Sequence, residues 1–301
     1  MLSLTRHLYK YQAIKELSEE KRYPVQRLCE YLHLSRSAYY RWLKDPVSFS
    51  ERYNKEIAGK IRVIHEAHPD MGYRRIRDEL EKHHDIDVND KRVLRICRKE
   101  RIQSTIKWKP KSCTRNSDDP TYIARNYLNR DFHADAPNEK WLTDVTEFKY
   151  YIGIEVHKIY LSAILDLYDR RIVAFRIGDH NDNPLVMSTF DDAVALEPDA
   201  HPLFHSDRGF QYTSKQFHAR IRKNHMKHSM SRVAHCIDNG PMEGFWGILK
   251  REMYYGRRFT SKADLITAIE SYIVYYNTKR IQRKLRLMTP EEYHEEYNAA
   301  A

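Results

Sequence analysis

The stretch that opens as HSDRG (His205 to Gly209) and closes as DNGPMEGFWGILKRE (Asp238 to Glu252) decides how the rest of the chain is read. Two of its acids, Asp207 and Glu243, have 35 residues between them, and a third, Asp144, lies upstream inside the apolar run WLTDVTEF (Trp141 to Phe148). A carboxylate in a sheet interior is costly unless it is paired or binds metal. Three acids in such settings point to a metal site. Hard divalent cations take oxygen ligands, and magnesium is usually held by one or two carboxylates while it keeps waters and substrate phosphate oxygens. Two ions about 3.5 to 4 Å apart stabilise both the attacking and the leaving oxygen of an in-line displacement. Three carboxylates are enough to anchor them.

Each acid also has a plainer reading. Asp144 shares strand parity with Leu142, Thr146 and Phe148, so it reads as a buried, hydrogen-bonded aspartate as well as a ligand. Asp207 with Arg208-Gly209 reads as a turn, although a strand end is where such sheets bind ligands. Glu243 follows Pro241 in a first helical turn, where an acid complements the helix dipole. Gly244 and Gly247 each cost about 1 kcal/mol relative to Ala in a helix, which suggests close approach there. His205 and Asn239 neighbour the acids and read as core or turn residues. Lys250 lies two helical turns beyond Glu243, on the same face.

Around this stretch the pattern is that of strands. WLTDVTEFKYY, KIYLSAILDLYD and RIVAFRIGDH are rich in β-branched and aromatic residues, with turn-like GIEVH and DRR between them, and predict an antiparallel meander. Asn183-Pro184 predicts the start of a helix to Leu196, PLFHSD a short strand ending at Asp207, and Thr213 with Gln216 a capping box for a helix through Lys223. A strand near Lys227 to Met230, a loop and the helix bearing Glu243 follow. TPEEY then marks a last helix, with Thr289 as cap, Pro290 at the first position and Glu292 closing the box.

The N-terminal part is helical and basic. Leu28, Leu32, Leu34, Ala38 and Trp42 recur at helical spacing, Ser35 is a cap candidate, and Arg36, Tyr40 and Lys44 fall on the other face, a helix-turn-helix pattern. Gly72 to Ile102 repeats helix, turn, helix, with Asn89 as cap and Lys91, Arg92, Arg95, Arg98 and Lys99 presented by the second helix. Residues 1–140 hold 30 Lys and Arg against 21 acids, whereas residues 141–301 hold 22 against 21. Lys91 to Arg115 alone carries ten basic residues and one acid, Glu100, so a phosphate backbone is the expected partner. Residues 109–137 read as a linker in which YIARNYLNRDF forms a short helix, suited to DNA or to docking on the core. KRIQRKLR (Lys279 to Arg286) adds charge suited to DNA or a second subunit.

At 301 residues the chain is long enough for two or three domains. The expected boundaries are a helix-turn-helix region at 1–48, a second one at 49–108, the linker at 109–137, a catalytic core at 138–256 and a helical region at 257–301. No apolar run approaches the 18 or so residues of a membrane span, and MLSLTRHLYKYQ has no signal-peptide pattern. A cytoplasmic protein with no membrane partner is expected. Cys29, Cys97, Cys113 and Cys236 form no C-x-x-C pair, which suggests neither a disulfide framework nor a zinc site.

Asp144, Asp207 and Glu243, with their spacing and the Lys seven positions after the Glu, resemble the DDE catalytic core shared by retroviral integrases and bacterial insertion-sequence transposases. HSDRGFQYTS (His205 to Ser214), SMSR (Ser229 to Arg232), DNGPMEGFWGILKRE and YNTKRIQRKLRLMTPEEY (Tyr276 to Tyr293) narrow the likeness to the second-reading-frame (OrfB-type) transposases, over nearly the whole chain. The order of elements is similar to the ribonuclease H-like fold, an α/β mixed sheet with flanking helices, here preceded by all-α helix-turn-helix modules. The resemblance implies that Asp144, Asp207 and Glu243 bind Mg2+, for which Mn2+ would substitute, and that Lys250, helped by Arg251, contacts DNA near the scissile phosphate. It implies hydrolysis that frees a 3′ hydroxyl, attack of that hydroxyl on another phosphodiester, and a circular or figure-eight intermediate. The implied partners are the element's terminal repeats and target DNA, with a homo-oligomer assembled on DNA in the nucleoid. A first-reading-frame partner protein is a further one, since the chain has no long heptad run. Two rivals stand beside this reading: a catalytically inactive DNA-binding regulator, which intact acids at family spacing argue against, and a nuclease that only hydrolyses.

Overall fold

The computed structural model describes residues 2–45, 47, 49–106, 122–232 and 236–300. They form two compact units, Met1–His68 with Asn89–Gln103, and Pro69–Val88 with Ser104–Ala301. In chain order the first helices are α1 (Leu2–Glu20), α2 (Val25–Tyr31), α3 (Arg36–Lys44), α4 (Phe49–Ala67), α5 (Tyr73–His84) and α6 (Asp90–Lys99). The segment Gly72 to Ile102 is therefore divided, with α5 in the second unit and α6 in the first.

In the first unit the apolar stripe of α2 and α3 closes against Tyr11 and Ile14 of α1, and Tyr11 stacks on Trp42 with ring centroids 5.6 Å apart. Cys29 lies in this core and Cys97 is also buried; both are free thiols whose pKa is raised by burial. Ser35 stands at the N-cap of α3, but its hydroxyl pairs with that of Ser37 at 2.6 Å and caps no helix N–H. Asn89 does cap α6, accepting from the Lys91 N–H at 2.8 Å.

The second unit is built on a five-stranded sheet of β1 (Lys140–Ile152), β2 (Glu155–Asp166), β3 (Ile172–Gly178), β4 (Leu203–Ser206) and β5 (Lys227–Met230), in the order β3-β2-β1-β4-β5. β1 to β3 form the antiparallel meander, and β4 and β5 add in parallel. The helices are α7 (Asn183–Leu196), α8 (Lys215–Lys223), α9 (Gly240–Leu249), α10 (Lys262–Thr278) and α11 (Pro290–Ala300). This mixed sheet with flanking helices is the ribonuclease H-like fold. Strand alternation sends Leu142, Phe148, Leu161 and Leu165 into a core with α9 and α10, and Trp141, Ile164 and Val173 into a second core with α7, α8, β4 and β5. Asp144, with the parity of Leu142, belongs to the α9 face.

Several local expectations are corrected. Asp182, one residue earlier than expected, caps α7 through Leu185 N–H, and Ser214, one residue later than Thr213, caps α8 through Phe217 N–H. In both cases the side chain whose extended backbone aims its oxygen into the first turn is the cap. The Thr289–Glu292 box forms as read, each side chain accepting from the other's N–H at 3.1 and 2.9 Å. The linker and basic tract lie outside the described residues over 107–121, as does Cys113. From Tyr122 onward YIARNYLNRDF is neither linker nor helix. Its N–H groups go to core side chains, Ala124 to Met230 Sδ at 3.3 Å and Tyr127 and Leu128 to Ser229 Oγ at 2.9 and 3.0 Å, so it lies extended against β5 with Ala124 and Leu128 buried. Among the described residues no helix is long and apolar enough to cross a membrane.

KRIQRKLR is largely engaged inside the unit. Arg283 donates to Asp78 of α5 at 2.7 Å, Arg286 pairs with Glu296, and Arg280 lies 2.9 Å from Glu252, which also meets Arg75 at 2.9 Å and accepts from the Tyr272 hydroxyl at 2.8 Å. Burial alone would raise the Glu252 pKa, yet Arg280 and Arg75 hold it below its ordinary value. Removing one partner of a buried pair typically costs about 3 to 5 kcal/mol. Glu252→Ala should therefore lower the melting temperature of the second unit by roughly 6 to 20 °C, at about 2 to 4 °C per kcal/mol, in a calorimetric scan, and a change under 2 °C would show the network to be dispensable.

Candidate active site

β1 and β4 run parallel and their last bonded pair is Leu142 with His205. Two residues further along each chain stands an aspartate, Asp144 within β1 and Asp207 one residue past the end of β4, so the register brings the two side by side. Asp144 Oδ1 accepts from the Val145 N–H at 2.8 Å and Oδ2 from the Trp246 indole N–H at 3.0 Å. Burial, the Asp207 charge and, more weakly, Glu243 push its pKa up to about 8. Burial also raises Asp207, whose Oδ1 accepts from the Gly209 N–H at 2.8 Å. A Cβ at Gly209 would lie 3.0 Å from Asp207 Oδ1 and 2.9 Å from Gln211 Oε1, so a side chain there would displace both oxygens.

Glu243 stands in the first turn of α9, exposed, and burial raises it as well. The start of α9 is tied to β1 by Asn239, whose Nδ2 donates to the Thr143 carbonyl at 3.0 Å and whose buried Oδ1 has no protein partner. Asp238, buried, receives Arg232 at 2.8 Å, Arg130 at 2.7 Å and Asn126 at 3.0 Å. Led by the Arg232 hydrogen bonds, these hold its carboxyl far below the usual carboxylate range. The loop into α9 is thus pinned by a permanent charge.

His205 braces the strands. Ser229 Oγ already accepts two N–H groups, so its own proton goes to His205 Nδ1 at 2.9 Å, which leaves the imidazole proton on Nε2 facing Ser231 Oγ at 3.1 Å. Burial pushes its pKa down to about 4, so it is neutral. Tyr212 is buried, with its hydroxyl 3.2 Å from Thr143 Oγ1, and burial with the charges of Asp144 and Asp207 lifts its pKa well above 10. Trp246, Tyr212 and Asp238 were not singled out in the sequence. The only hint of the first was its place one turn after Glu243.

Lys250 opens a π-helical turn, Lys250–Tyr254, closed by the Tyr255 N–H on the Lys250 carbonyl at 2.7 Å, and its ammonium lies 5.1 Å from the centre of the Phe148 ring. Arg251 folds back over Gly247, where a Cβ would stand 3.0 Å from its Nη1, while Gly244 has nothing within 4 Å. The close approach read from these glycines is thus made by Arg251, at Gly247 alone. In the first unit Arg36 and Tyr40 are exposed on α3, and Lys91, Arg95, Arg98 and Lys99 on α6. Arg92 turns inward, donating to Asn54 at 2.9 Å and lying 4.8 Å from the centre of the Tyr53 ring.

Among the described residues no three His, Cys, Asp or Glu side chains are grouped tightly enough to hold one metal ion as they stand. The chemistry of the donors nevertheless fits one. Asp144 and Asp207 are carboxylates whose burial and mutual repulsion a divalent cation would relieve, and hard cations take oxygen ligands.

Comparison with known proteins gives matches to the integrase core domain family over residues 134–236 and 243–297 and to the HTH-like domain family over residues 52–110. The chain is 34% identical to the "Putative transposase InsK for insertion sequence element IS150" of Escherichia coli (strain K12), covering 93% of this chain and 97% of that one. It is 32% identical to the "Insertion element IS600 uncharacterized 31 kDa protein" of Shigella sonnei, covering 91% and 100%. Among solved structures, the HTLV-2 integrase catalytic core domain in complex with magnesium matches at 22% identity over 54% of this chain and 99% of that chain, with a TM-score of 0.42.

The raised pKa of Asp144 has a definite sign. The folded state holds this proton more tightly than the unfolded chain, so its contribution to stability is complete below the ordinary aspartate pKa and is lost as pH rises through about 8. A bound cation requires the deprotonated form. Mg2+ should therefore raise the melting temperature more at pH 8.5 than at pH 6, and Asp144→Asn should remove that increment. Trp246→Phe deletes a hydrogen bond that lowers the Asp144 pKa, so the pH at which Mg2+ protection reaches half its maximum should move up. An Mg2+ effect independent of pH across this range would refute the assignment.

Proposed function

Because the chain belongs to the transposases of insertion sequences that carry an integrase core domain, we propose that Asp144, Asp207 and Glu243 are its catalytic carboxylates for DNA cleavage and strand transfer at the element ends. The observation that carries this reading is the pair of repelling aspartates, Asp144 in β1 and Asp207 directly after the parallel strand β4, with Glu243 in the first turn of α9. Divalent magnesium, bound there, would polarise the phosphodiester and stabilise the attacking and leaving oxygens. The protein's own residues do the rest. Asp144 is oriented by the Trp246 indole and Asp207 by the Gly209 N–H, so both carboxylates are fixed before substrate arrives. Tyr212 remains a neutral phenol beneath them and adds no charge. Lys250 places an ammonium beside β1, four residues from Asp144, where it would meet a substrate phosphate.

In the same reading α6 and α3 are DNA-contacting helices. Lys91, Arg95 and Arg98 recur at i, i+4 and i+7, one face of α6, whereas Arg92 is committed to α4.

The deciding experiment is cleavage and joining on the DNA that flanks the protein's own gene. Joining separates a transposase from an enzyme that only hydrolyses. Asp144→Asn, Asp207→Asn and Glu243→Gln should each lower both steps by at least roughly 10³-fold, since a positioned cation supplies several kcal/mol and each 1.36 kcal/mol is tenfold, with DNA affinity retained. Any of the three that still joins DNA at wild-type rate is not a ligand. Neutralising Lys91, Arg95 and Arg98 together should reduce the slope of log affinity against log salt by roughly 2.7, about 0.9 for each lost phosphate contact, while Arg92→Gln should act on the stability of the first unit. An unchanged slope in the triple variant would make that face a solvated one.

A further inference from the structure

The hairpin of β1 and β2 continues far beyond the carboxylates. β4 accompanies β1 only over Lys140–Leu142, whereas β1 runs on to Ile152 and returns through Gly153 and Ile154 into Glu155. At about 3.3 Å per residue the apex lies about 30 Å along the strand from Asp144. The turn has two residues, and Gly153 takes φ 61°, the positive value that a tight hairpin demands and that glycine accepts.

The side chains at this apex are apolar. Ile154 is 99% exposed, Ile152 55% and Val156 54%. Ile152 and Val156 belong to opposite faces of the ribbon, since Ile152 pairs with Glu155 and Tyr151 with Val156. The result is a wedge two strands wide with an exposed aliphatic residue on each face and one at its tip, interrupted by one acid, Glu155, which faces Ile152 across the ribbon and lies 3.2 Å from His157. Only a partner can take it out of water.

The chain after α9 supplies charge beside it. Tyr254 spans the open edge of β1, its hydroxyl donating to the Lys149 carbonyl at 2.9 Å while accepting the Lys149 N–H at 3.0 Å, and the Tyr151 N–H reaches the Phe259 carbonyl at 2.8 Å. That course brings the Arg258 guanidinium to 4.8 Å from the centre of the Tyr151 ring and within 3.5 Å of the Gly153 carbonyl, next to exposed Arg257. Lys250, over Phe148, marks the same strand nearer the carboxylates. Lys250, Arg257 and Arg258 thus stand along β1 between the site and the aliphatic tip, while the two acids of this ribbon, Glu147 and Glu155, lie within ion-pairing distance of Lys149 and Lys158 and of His157.

We infer that this hairpin is a second DNA contact, in which Arg257 and Arg258 hold phosphates and Ile154 enters between base pairs, roughly nine steps of about 3.4 Å from the reacting phosphodiester. The inference rests on the proposed function for the presence of DNA at the carboxylates. Apolar wedges flanked by basic residues insert between base steps and kink the duplex. Cations lining the approach favour a polyanion over a second protein, whose apolar surface would match the tip alone.

The test uses the full chain without divalent cation, so that it is independent of whether the carboxylates catalyse anything. The probe is a 40-base-pair duplex rich in flexible TA steps with 2-aminopurine replacing alternate adenines. Wild type should raise the fluorescence as bases unstack. Ile154→Ser, at a site too exposed to affect folding, should abolish the rise and weaken binding about tenfold or more, the change expected from losing one buried aliphatic side chain. Replacing Arg257 and Arg258 by Gln should lower the salt slope by roughly 1.8. The inference is overturned if Ile154→Ser binds and unstacks like wild type. It is equally overturned if Ile154→Ser leaves DNA affinity intact but changes the sedimentation of the DNA-free chain, which would make the apex a contact between copies. Loss of cleavage and joining in the wild type, with unstacking retained, would sink the catalytic reading and leave the hairpin contact standing.

Discussion

Two carboxylates that repel one another, Asp144 inside β1 and Asp207 just past the end of β4, are held side by side where these parallel strands part, and much of the second unit serves to keep them there. Like charges in a partly buried setting separate or take up protons unless the scaffold prevents the first. Here the β1–β4 register fixes the backbones, Trp246 and Gly209 fix the side chains, and Asn239 ties the helix carrying Glu243 to the strand carrying Asp144. The strain that remains appears as a raised proton affinity, led by burial and, at Asp144, by the Asp207 charge.

The frame around this pair is polar where a core would ordinarily be apolar. β4 and β5 are joined by His205, Ser229 and Ser231, with every donor in that group directed by the extended segment that crosses β5. Beside it, Asp238 gathers Arg130, Arg232 and Asn126 at the entrance to α9. Fully satisfied polar networks specify one geometry because any displacement leaves a buried group unpaired. The proposed three-acid site would gain from that rigidity more than from a greasier contact.

Positive charge in the chain divides into two uses. Arg75, Arg280 and Arg283 are taken up by acids within the second unit, and Arg92 by α4 within the first. Lys91, Arg95, Arg98, Arg257 and Arg258 remain on the surface. Composition counts both kinds alike, so the basic excess of the N-terminal half indicated a polyanion but not which residues meet it.

The sequence by itself determined the family and the sheet, and it supplied the three acids that the proposed function uses, because period-two runs, turn residues and the Asp–Glu spacing are local signals carried by neighbouring residues. It also determined caps such as Asn89 and Thr289, whose chemistry spans three positions. Tertiary structure decided what depends on residues far apart in the chain. The Trp246 bond to Asp144 joins positions 102 residues apart, and the Ser229 hydroxyl that keeps Tyr127 and Leu128 out of a helix lies 102 and 101 residues from them. Whether KRIQRKLR faces solvent or Asp78 and Glu252 was likewise settled only when α5 and α10 met in one unit. A hydrogen bond between distant residues leaves no period in the sequence, and pairing energy is set by the burial that the fold creates.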